Sequence, residues 1–405
     1  MNITLAVSGL NASDSPVAGL GIIKCLRNQN RFNIRIIGLA YDAKEAAIYV
    51  QEACDEVYLL PYPSAGIEAF QKRIRAIAQK ARVDFFLPAL DSELTNFLSM
   101  EDEFSQQGIK TFLPTSEMIE MRSKIKLQDL CKKAKLKYPK TIEIGSYDQL
   151  YPAARKLGFP CLVKGIFYEA VVAHNDGDLE KGARSIASRW GFPLLLQQWA
   201  AGEEFDIAIA GDGKGNILGM TAMKKMQLTE KGKAWGGMTI HSEDLFSCAR
   251  RLVKQLKWRG PMEAEIMRNE KTNEYHVIEI NPRFPAWIFL SHGAQCNLPE
   301  ILLRHVYEKV PKNQVPILGK PGTMFLRFSQ DMIVSMSEYE DIMISGELNR
   351  DSFKKMVGFA PHDKGRAKNS PSGKNAATKR SLASGGKLLA PVRRSSKGPG
   401  RRKKA

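Results

Sequence analysis

Two short apolar segments with acidic or amide side chains at alternate positions constrain this chain more than any other feature. The first runs from Met262 to Met267 as MEAEIM, and the second from Val277 to Phe284 as VIEINPRF. The polar, turn-rich residues 268–275 between them predict an antiparallel β-hairpin. If the turn lies in the middle of that stretch, Glu265 is directly opposite Glu279.

This predicted hairpin has the composition of a metal site. Glu279 and Asn281 are two residues apart on a strand and therefore face the same side. Carboxylates opposite each other across a sheet repel, and a cation between them removes that penalty. Glu265, Glu279 and Asn281 offer the hard oxygen ligands that suit Mg²⁺, and Arg283 can hold a phosphate or carboxylate. Each residue alone also fits an exposed hairpin face.

The first 110 residues alternate strand-like and helix-like segments. The predicted strands are Ile3–Ser8, Ile34–Ala40, Val57–Leu60 and Asp84–Pro88, with helices near 17–28 and 66–82. Such alternation predicts a parallel sheet with helices on both faces. Ser8-Gly9 does not begin a GxGxxG pattern, so a plain turn is favoured over a dinucleotide site.

Two lysines in the next part of the chain are candidate phosphate ligands. A helix is expected from Thr115 toward Leu136, and Lys124 lies within it. A short apolar strand beginning at Cys161 ends at Lys164, where an ammonium group can reach phosphate oxygens. Taken singly, each lysine also fits a solvated surface position.

The strand Leu194–Trp199 has the properties of a purine-binding edge. It is apolar up to Gln197 and Gln198, and the end of such a strand offers backbone groups to a base. Trp199 would supply a flat wall, and Glu204 could accept hydrogen bonds from ribose. A core Trp199 and an exposed Glu204 are the alternative.

Most of the net charge of +17 belongs to the C-terminal segment. Residues 361–405 hold 14 Lys or Arg and one acid, so the preceding residues carry only +4. This segment lacks apolar periodicity and aromatic residues, which predicts a disordered tail without base stacking. A solvated tail, a tether to nucleic acid or another polyanion, and a targeting signal all remain open.

The six cysteines are scattered, and no CxxC pair occurs. A zinc site or disulfide framework is therefore disfavoured, and a reducing cytoplasm is expected. No segment has the roughly 20 apolar residues that span a bilayer, and the first residues do not resemble a secretory signal. The sequence does not indicate an oligomeric state.

Taken in order, these elements resemble the ATP-grasp superfamily, in particular its carboxylate–amine ligases and the carbamoyl-phosphate-synthetase-like branch. The resemblance covers about residues 1–310. It implies a Rossmann-like pre-ATP-grasp domain at 1–112 and an ATP-grasp domain at 113–312, with lobes of about 113–190 and 191–312. A small C-terminal extension at 313–360 and the tail at 361–405 would follow. The fold class is α/β and α+β.

The same resemblance implies a role for each candidate residue. Lys124 and Lys164 would contact ATP phosphates, Gln197, Gln198 and Trp199 would line adenine, and Glu204 would contact ribose. Glu265, Glu279 and Asn281 would hold one or two Mg²⁺ or Mn²⁺ ions. Arg283, with Lys164, would act on the transferred phosphoryl group. The implied reaction activates a small-molecule or peptide carboxylate as an acyl phosphate, which an amine or similar nucleophile attacks.

The segment after Lys164 departs from the family pattern, because Gly165–Val171 contains one glycine instead of a glycine-rich loop. Lys224-Lys225 and Trp235-Gly236-Gly237 are candidates to compensate, although the glycine pair fits a plain turn equally. A catalytically weak ATP-binding scaffold, whose tail recruits an anionic partner, is therefore the alternative function. The missing glycine loop also disfavours the biotin carboxylase branch. Asp91, Glu93 and Arg327 are weaker candidates for substrate contacts.

Overall fold

The computed structural model describes residues 1–12, 16–166, 169–229, 232–308 and 315–350. All of them lie in one compact unit, Met1–Gly358. The tail predicted at 361–405 and the last residues of the predicted extension are outside the described residues. Within the described residues, no helix is long and apolar enough to cross a membrane.

The N-terminal residues form a parallel sheet flanked by helices. Its elements are β1 (Asn2–Val7), α1 (Gly19–Arg27), β2 (Asn33–Ala40), β3 (Glu56–Leu59), α2 (Ile67–Ala81), β4 (Phe85–Leu87), α3 (Asp91–Leu98) and α4 (Glu101–Gln106). β1 pairs in parallel with both β2 and β4, and β2 pairs in parallel with β3. The predicted α/β architecture is confirmed, and the carboxyl ends of β1 and β4 lie side by side.

The next residues form a small lobe around a four-stranded sheet. Its elements are α5 (Ser116–Met121), α6 (Leu127–Lys133), β5 (Thr141–Ile144), α7 (Leu150–Leu157), β6 (Cys161–Gly165), β7 (Ala170–Ala173), α8 (Asp176–Trp190) and β8 (Leu194–Gln198). The strand order is β5-β8-β6-β7, and the pairings are antiparallel.

The prediction of one continuous helix from Thr115 to Leu136 is wrong. Thr115 caps α5, which ends at Met121, and a turn precedes α6. The Arg122 guanidinium in that turn donates to the backbone oxygen of Ile280 at 3.2 Å. This tertiary contact, which helix propensity does not predict, occurs where the helix is broken.

A seven-stranded sheet carries most of the remaining chain. The elements are β9 (Glu203–Asp212), β10 (Ile217–Leu228), β11 (Ala234–Ile240), α9 (Glu243–Leu256), β12 (Arg259–Arg268), β13 (Tyr275–Asn281), α10 (Phe289–Gly293), α11 (Leu298–Tyr307), β14 (Ile317–Leu318), β15 (Met324–Leu326), α12 (Met336–Ser345) and β16 (Glu347–Asn349). The path runs β13-β12-β9-β10-β11-β15, with β14 beside β10.

The C-terminal extension is divided between the two larger sheets. β14 and β15 join the seven-stranded sheet, whereas β16 pairs antiparallel with β3 at the edge of the N-terminal sheet. An edge strand exposes unpaired backbone groups, and β16 covers those of β3. The domain boundaries themselves stay predictions.

One face of the seven-stranded sheet is apolar and covered by α9. Phe246, Leu252 and Val253 of this helix are fully buried and pack with Ile207 and Ile209 of β9. The periodicity of α9 places these side chains on one helical face. The opposite face of β9 and its neighbours carries the polar residues described next.

Candidate active site

Polar side chains converge on one face of the seven-stranded sheet. Glu265 pairs with Glu279 on one side and with Asp206 on the other, so the predicted cross-strand carboxylate pair is confirmed. A β-bulge follows directly beyond Glu265. The polar residues of this face are Glu204 and Asp206 on β9, Lys225 on β10, Glu263 and Glu265 on β12, and Glu279 and Asn281 on β13.

The three predicted metal ligands lie together. The Asn281 amide nitrogen donates to Glu265 at 3.0 Å and to Glu263 at 3.0 Å, which fixes the amide beside both carboxylates. Burial and the repulsion of Glu265 raise the pKa of Glu279, and the Lys124 ammonium 3.9 Å away opposes that shift. Two opposed, partly buried carboxylates beside an amide fit a divalent cation.

Lys164 reaches this face from the small lobe. Burial and the neighbouring Lys124 lower its pKa, while Glu279, Glu265 and Glu204 act in the opposite direction. Two lysines from different elements therefore meet carboxylates of the large sheet. Such a set of cations beside a candidate metal site is suited to polyphosphate, since phosphoryl transfer depends on positioning and charge neutralisation.

Lys225 lies in a nest of three carboxylates on the same face. Its ammonium binds Glu204, lies 3.3 Å from Asp206 Oδ1 and lies 3.6 Å from Glu265 Oε2. Burial disfavours its charge, but attraction to these acids raises its pKa. Ligand atoms of the three acids lie within 4.8 Å of one another, a spacing that a metal ion could use. Because Lys225 already pairs with all three acids, the Glu279 side of Glu265 is the better candidate position for an ion.

The predicted adenine-binding strand has a buried and an exposed end. Gln197 is 3% exposed, and its side chain donates to the Tyr138 hydroxyl at 3.1 Å and to Thr141 Oγ1 at 2.9 Å. Gln198 is exposed and Trp199 is 39% exposed, so Trp199 is not a core residue. Since the Gln197 side chain is used inside the lobe, base contacts would come from the backbone.

Gly202 shapes the connection between this strand and β9. Its φ of +148° is rare for other residues, and a Cβ there would lie 1.9 Å from the Arg268 carbonyl oxygen. The chain can therefore pass closely beside β12. Glu204 follows two residues later, and its carboxylate pairs with Lys225 rather than standing exposed.

Arg283 lies at the end of the face, where the N-terminal sheet approaches. Its Nε is 2.9 Å from Asp91 Oδ1, and its Nη1 is 3.3 Å from Glu263 Oε2. Burial disfavours the charge of the guanidinium, but Asp91 and Glu263 outweigh it and raise the Arg283 pKa. Trp287 Nε1 also donates to Glu263, at 2.9 Å, and fixes this buried acid.

The three weaker candidates for substrate contacts, Asp91, Glu93 and Arg327, differ in their surroundings. Glu93 is fully buried and accepts hydrogen bonds inside the N-terminal sheet, so it does not offer a substrate contact. Asp91 is bound by arginines. Arg327 follows β15, lies 5.3 Å from the centre of the Phe325 ring, and has a pKa that burial lowers and Glu263 raises.

Lys224-Lys225 and Gly236-Gly237, the candidates to compensate for the short segment after Lys164, also have different surroundings. β6 ends at Gly165 and β7 begins at Ala170, so residues 166–169 connect the two strands; residues 167 and 168 are outside the described residues. Lys224 binds Glu203, and its neighbour Lys225 occupies the acidic nest. Gly236 and Gly237 lie within β11, so the alternative of a plain turn is wrong.

Sequence reasoning missed three residues of this region. Glu263 could have been found, because it lies two residues before Glu265 and must share its face. Asp206 follows from Glu204 by the same rule. Arg122, which contacts both Ile280 and Asp91, carries no recognisable signal in the sequence.

Comparisons with known proteins agree with this geometry. Residues 122–286 match the ATP-grasp domain family. The arginine-specific large chain of carbamoyl phosphate synthase from Lactiplantibacillus plantarum is 24% identical over 252 residues, or 56% of this chain. The chain spans only about a quarter of that relative's length, 24%.

Two solved structures show the same fold. The biotin carboxylase domain of Hydrogenobacter thermophilus 2-oxoglutarate carboxylase, which holds MgADP, ADP and bicarbonate, has a TM-score of 0.59 at 16% identity and covers 77% of this chain and 71% of its own. The L-amino acid ligase of Bacillus licheniformis has a TM-score of 0.58 at 16% identity, covering 75% and 73%. At such identities the likeness concerns the fold and does not decide between activities.

Proposed function

We propose that the chain, whose residues 122–286 match the ATP-grasp domain family, is an ATP- and Mg²⁺-dependent ligase. It activates a carboxylate as an acyl phosphate, which an amine or similar nucleophile then attacks. The observation that carries the proposal is the cross-strand pair of Glu265 and Glu279, with Lys124 3.9 Å from Glu279 and Lys164 close by.

Each side chain has a proposed task in the first step. Glu265, Glu279 and Asn281 would hold Mg²⁺, which neutralises phosphate charge and orients ATP. Lys124 and Lys164 bind phosphate oxygens as point charges. A carboxylate oxygen of the substrate attacks the γ-phosphorus, the bond to ADP breaks, and Arg283 stabilises the transferred phosphoryl group with its planar fork.

The second step forms the new bond. The nucleophile attacks the carbonyl carbon of the acyl phosphate, phosphate departs with the bonding electron pair, and the amine loses a proton. Acyl phosphates hydrolyse, so the small lobe must exclude water during this step. Trp199 and the backbone after Gln198 would hold adenine at the joint between lobes.

The large sheet supports this assignment electrostatically. Lys225 pairs with Glu204, Asp206 and Oε2 of Glu265, which would leave the Glu279 side of Glu265 for the metal. Glu204 would then reach ribose only by sharing its carboxylate with Lys225.

A scaffold that binds ATP without turnover is the second candidate, and the short connection at residues 166–169 favours it. Isothermal titration with ATP and Mg²⁺, followed by an ADP-release assay over pools of carboxylates and amines, separates the two. Substrate-dependent ADP release supports the ligase. Tight MgATP binding without turnover on any pool supports the scaffold, and absence of binding refutes both.

The cellular setting stays a prediction. All six cysteines are free and buried, which suits the reducing cytoplasm proposed above. We propose that the tail at 361–405 contributes polyanion binding without contributing to the nucleotide site.

A further inference from the structure

The N-terminal sheet and its helices contact the polar face of the seven-stranded sheet through the side chain of Asp91. Asp91 is the first residue of α3, shortly after the end of β4. The turn before it is held by buried Glu93, which accepts from the backbone nitrogens of Ala89 at 2.9 Å and Leu90 at 3.0 Å and from the Tyr41 hydroxyl at 2.6 Å. The place of Asp91 is therefore fixed by groups inside the N-terminal sheet.

The Asp91 carboxylate binds two guanidinium groups at once. Oδ1 lies 2.9 Å from Arg283 Nε, and Oδ2 lies 3.4 Å from an Arg122 terminal nitrogen. Arg122 also donates to the backbone oxygen of Ile280, between the metal ligands Glu279 and Asn281. One carboxylate thus ties together α3, the turn before α6 and the end of β13.

These contacts set the orientation of the Arg283 guanidinium. Asp91 holds Nε, while Glu263 and the backbone oxygen of Phe284 hold Nη1, each at 3.3 Å, so the plane of the guanidinium is fixed. Because Arg122 binds the other oxygen of Asp91, this carboxylate is shared between two guanidinium groups and does not pair with Arg283 alone.

We propose that Asp91 is a positioning residue: from the N-terminal sheet, it orients Arg283 toward the phosphoryl group in transfer. Both carboxylate oxygens are already engaged, so Asp91 acts through Arg283 and does not itself bind the substrate. The inference rests on the proposed function, in which Arg283 stabilises that group. Partners that orient a reacting residue are typically worth 10- to 100-fold.

The test compares binding of MgADP alone with binding of MgADP plus aluminium fluoride, a mimic of the phosphoryl group in transfer. The full chain, its Asp91→Asn and Asp91→Glu variants, and Asp129→Asn as control are titrated calorimetrically. Asp129 is an exposed aspartate paired with Lys132 at 3.5 Å, on a helix outside the site. All variants are checked for an unchanged melting transition.

For the wild type and the control, aluminium fluoride should tighten MgADP binding. In Asp91→Asn, MgADP alone should bind within about twofold of wild type, but the gain from aluminium fluoride should fall about 10- to 100-fold. Asp91→Glu keeps the charge and should recover part of that gain.

The other possible results refute either the role of Asp91 or the proposed function. An equal gain in wild type and Asp91→Asn refutes the role of Asp91 while leaving the proposed function intact. No gain in the wild type refutes the proposed function, and the role of Asp91 with it. If Asp91→Asn fails to fold, Asp91→Glu decides, because its longer side chain must reduce the gain measurably if Arg283 depends on Asp91.

Discussion

Replacing Lys225 with methionine should destabilise the large sheet strongly. Lys225 is 6% exposed and binds three acids, of which Asp206 is 2% exposed. Methionine is unbranched and nearly as long as lysine, and it lacks the ammonium group. The substitution therefore leaves Glu204, Asp206 and Glu265 facing one another without a cation.

The size of the effect follows from the distances. With an effective dielectric constant of about 20, Coulomb's law gives roughly 5 kcal/mol of attraction for charges 3.3 Å apart, the Lys225–Asp206 separation. Desolvation of both groups offsets much of this attraction in the wild type. Removing one partner of a buried ion pair, however, typically costs about 3–5 kcal/mol, because the remaining charge stays buried. We expect that loss in the free energy of unfolding at pH 8.

The loss should depend on pH with a defined sign. Burial raises the pKa values of Asp206 and Glu204 above their ordinary 3.8 and 4.5. An acid with a raised pKa in the folded state costs stability as pH rises through that pKa, and without Lys225 this cost grows. The difference between variant and wild type should therefore be smaller at pH 5 than at pH 8.

Urea unfolding followed by tryptophan fluorescence at both pH values measures this difference. Lys224→Met is the matched control, since the neighbouring lysine is 34% exposed and pairs with Glu203, a pair worth about 0–1 kcal/mol. If Lys225→Met costs no more than Lys224→Met, or if its cost is independent of pH, the acidic nest is not held by Lys225.

Two further predictions concern the tail and the thiols. Deleting residues 361–405 should leave MgATP affinity unchanged and lower retention on heparin, because the segment carries +13 of the +17 net charge; a collapse of ATP binding in calorimetry would place the tail at the site. Burial raises the pKa of Cys296 to about 11 and those of Cys54 and Cys131 to about 12. The native protein should therefore react slowly with a thiol reagent at pH 8, whereas the protein in guanidinium should yield six thiols; fast native reaction would contradict the packing.

The hairpin of β12 and β13 could be predicted in register because local rules determine it. A turn between two apolar strands and a two-residue side-chain period place Glu265 opposite Glu279, as observed. The same period implies that Glu263 shares the face of Glu265 and that Asp206 shares the face of Glu204. The N-terminal parallel sheet could be predicted equally well, since strand and helix periodicities alternate there.

Contacts between distant segments could not be predicted in this way. The break between α5 and α6 coincides with Arg122 contacting Ile280, a residue 158 positions away. Lys225 could be named as a candidate, but its three acidic partners depend on the pairing of β9 with both β10 and β12. Asp91 likewise meets Arg283 only because two sheets pack together. Sequence patterns describe single elements well and interfaces poorly.

The proposed metal site is tested most directly by the effect of Glu279→Gln on Mg²⁺-dependent ADP formation. Glutamine keeps the shape of the side chain but removes the charge that opposes Glu265. Glu274→Gln, at an exposed position of the same hairpin, is the control. We predict that Glu279→Gln folds normally and loses Mg²⁺-dependent ADP formation, while the control keeps it; ADP formation with unchanged metal dependence in Glu279→Gln would refute the proposed metal site.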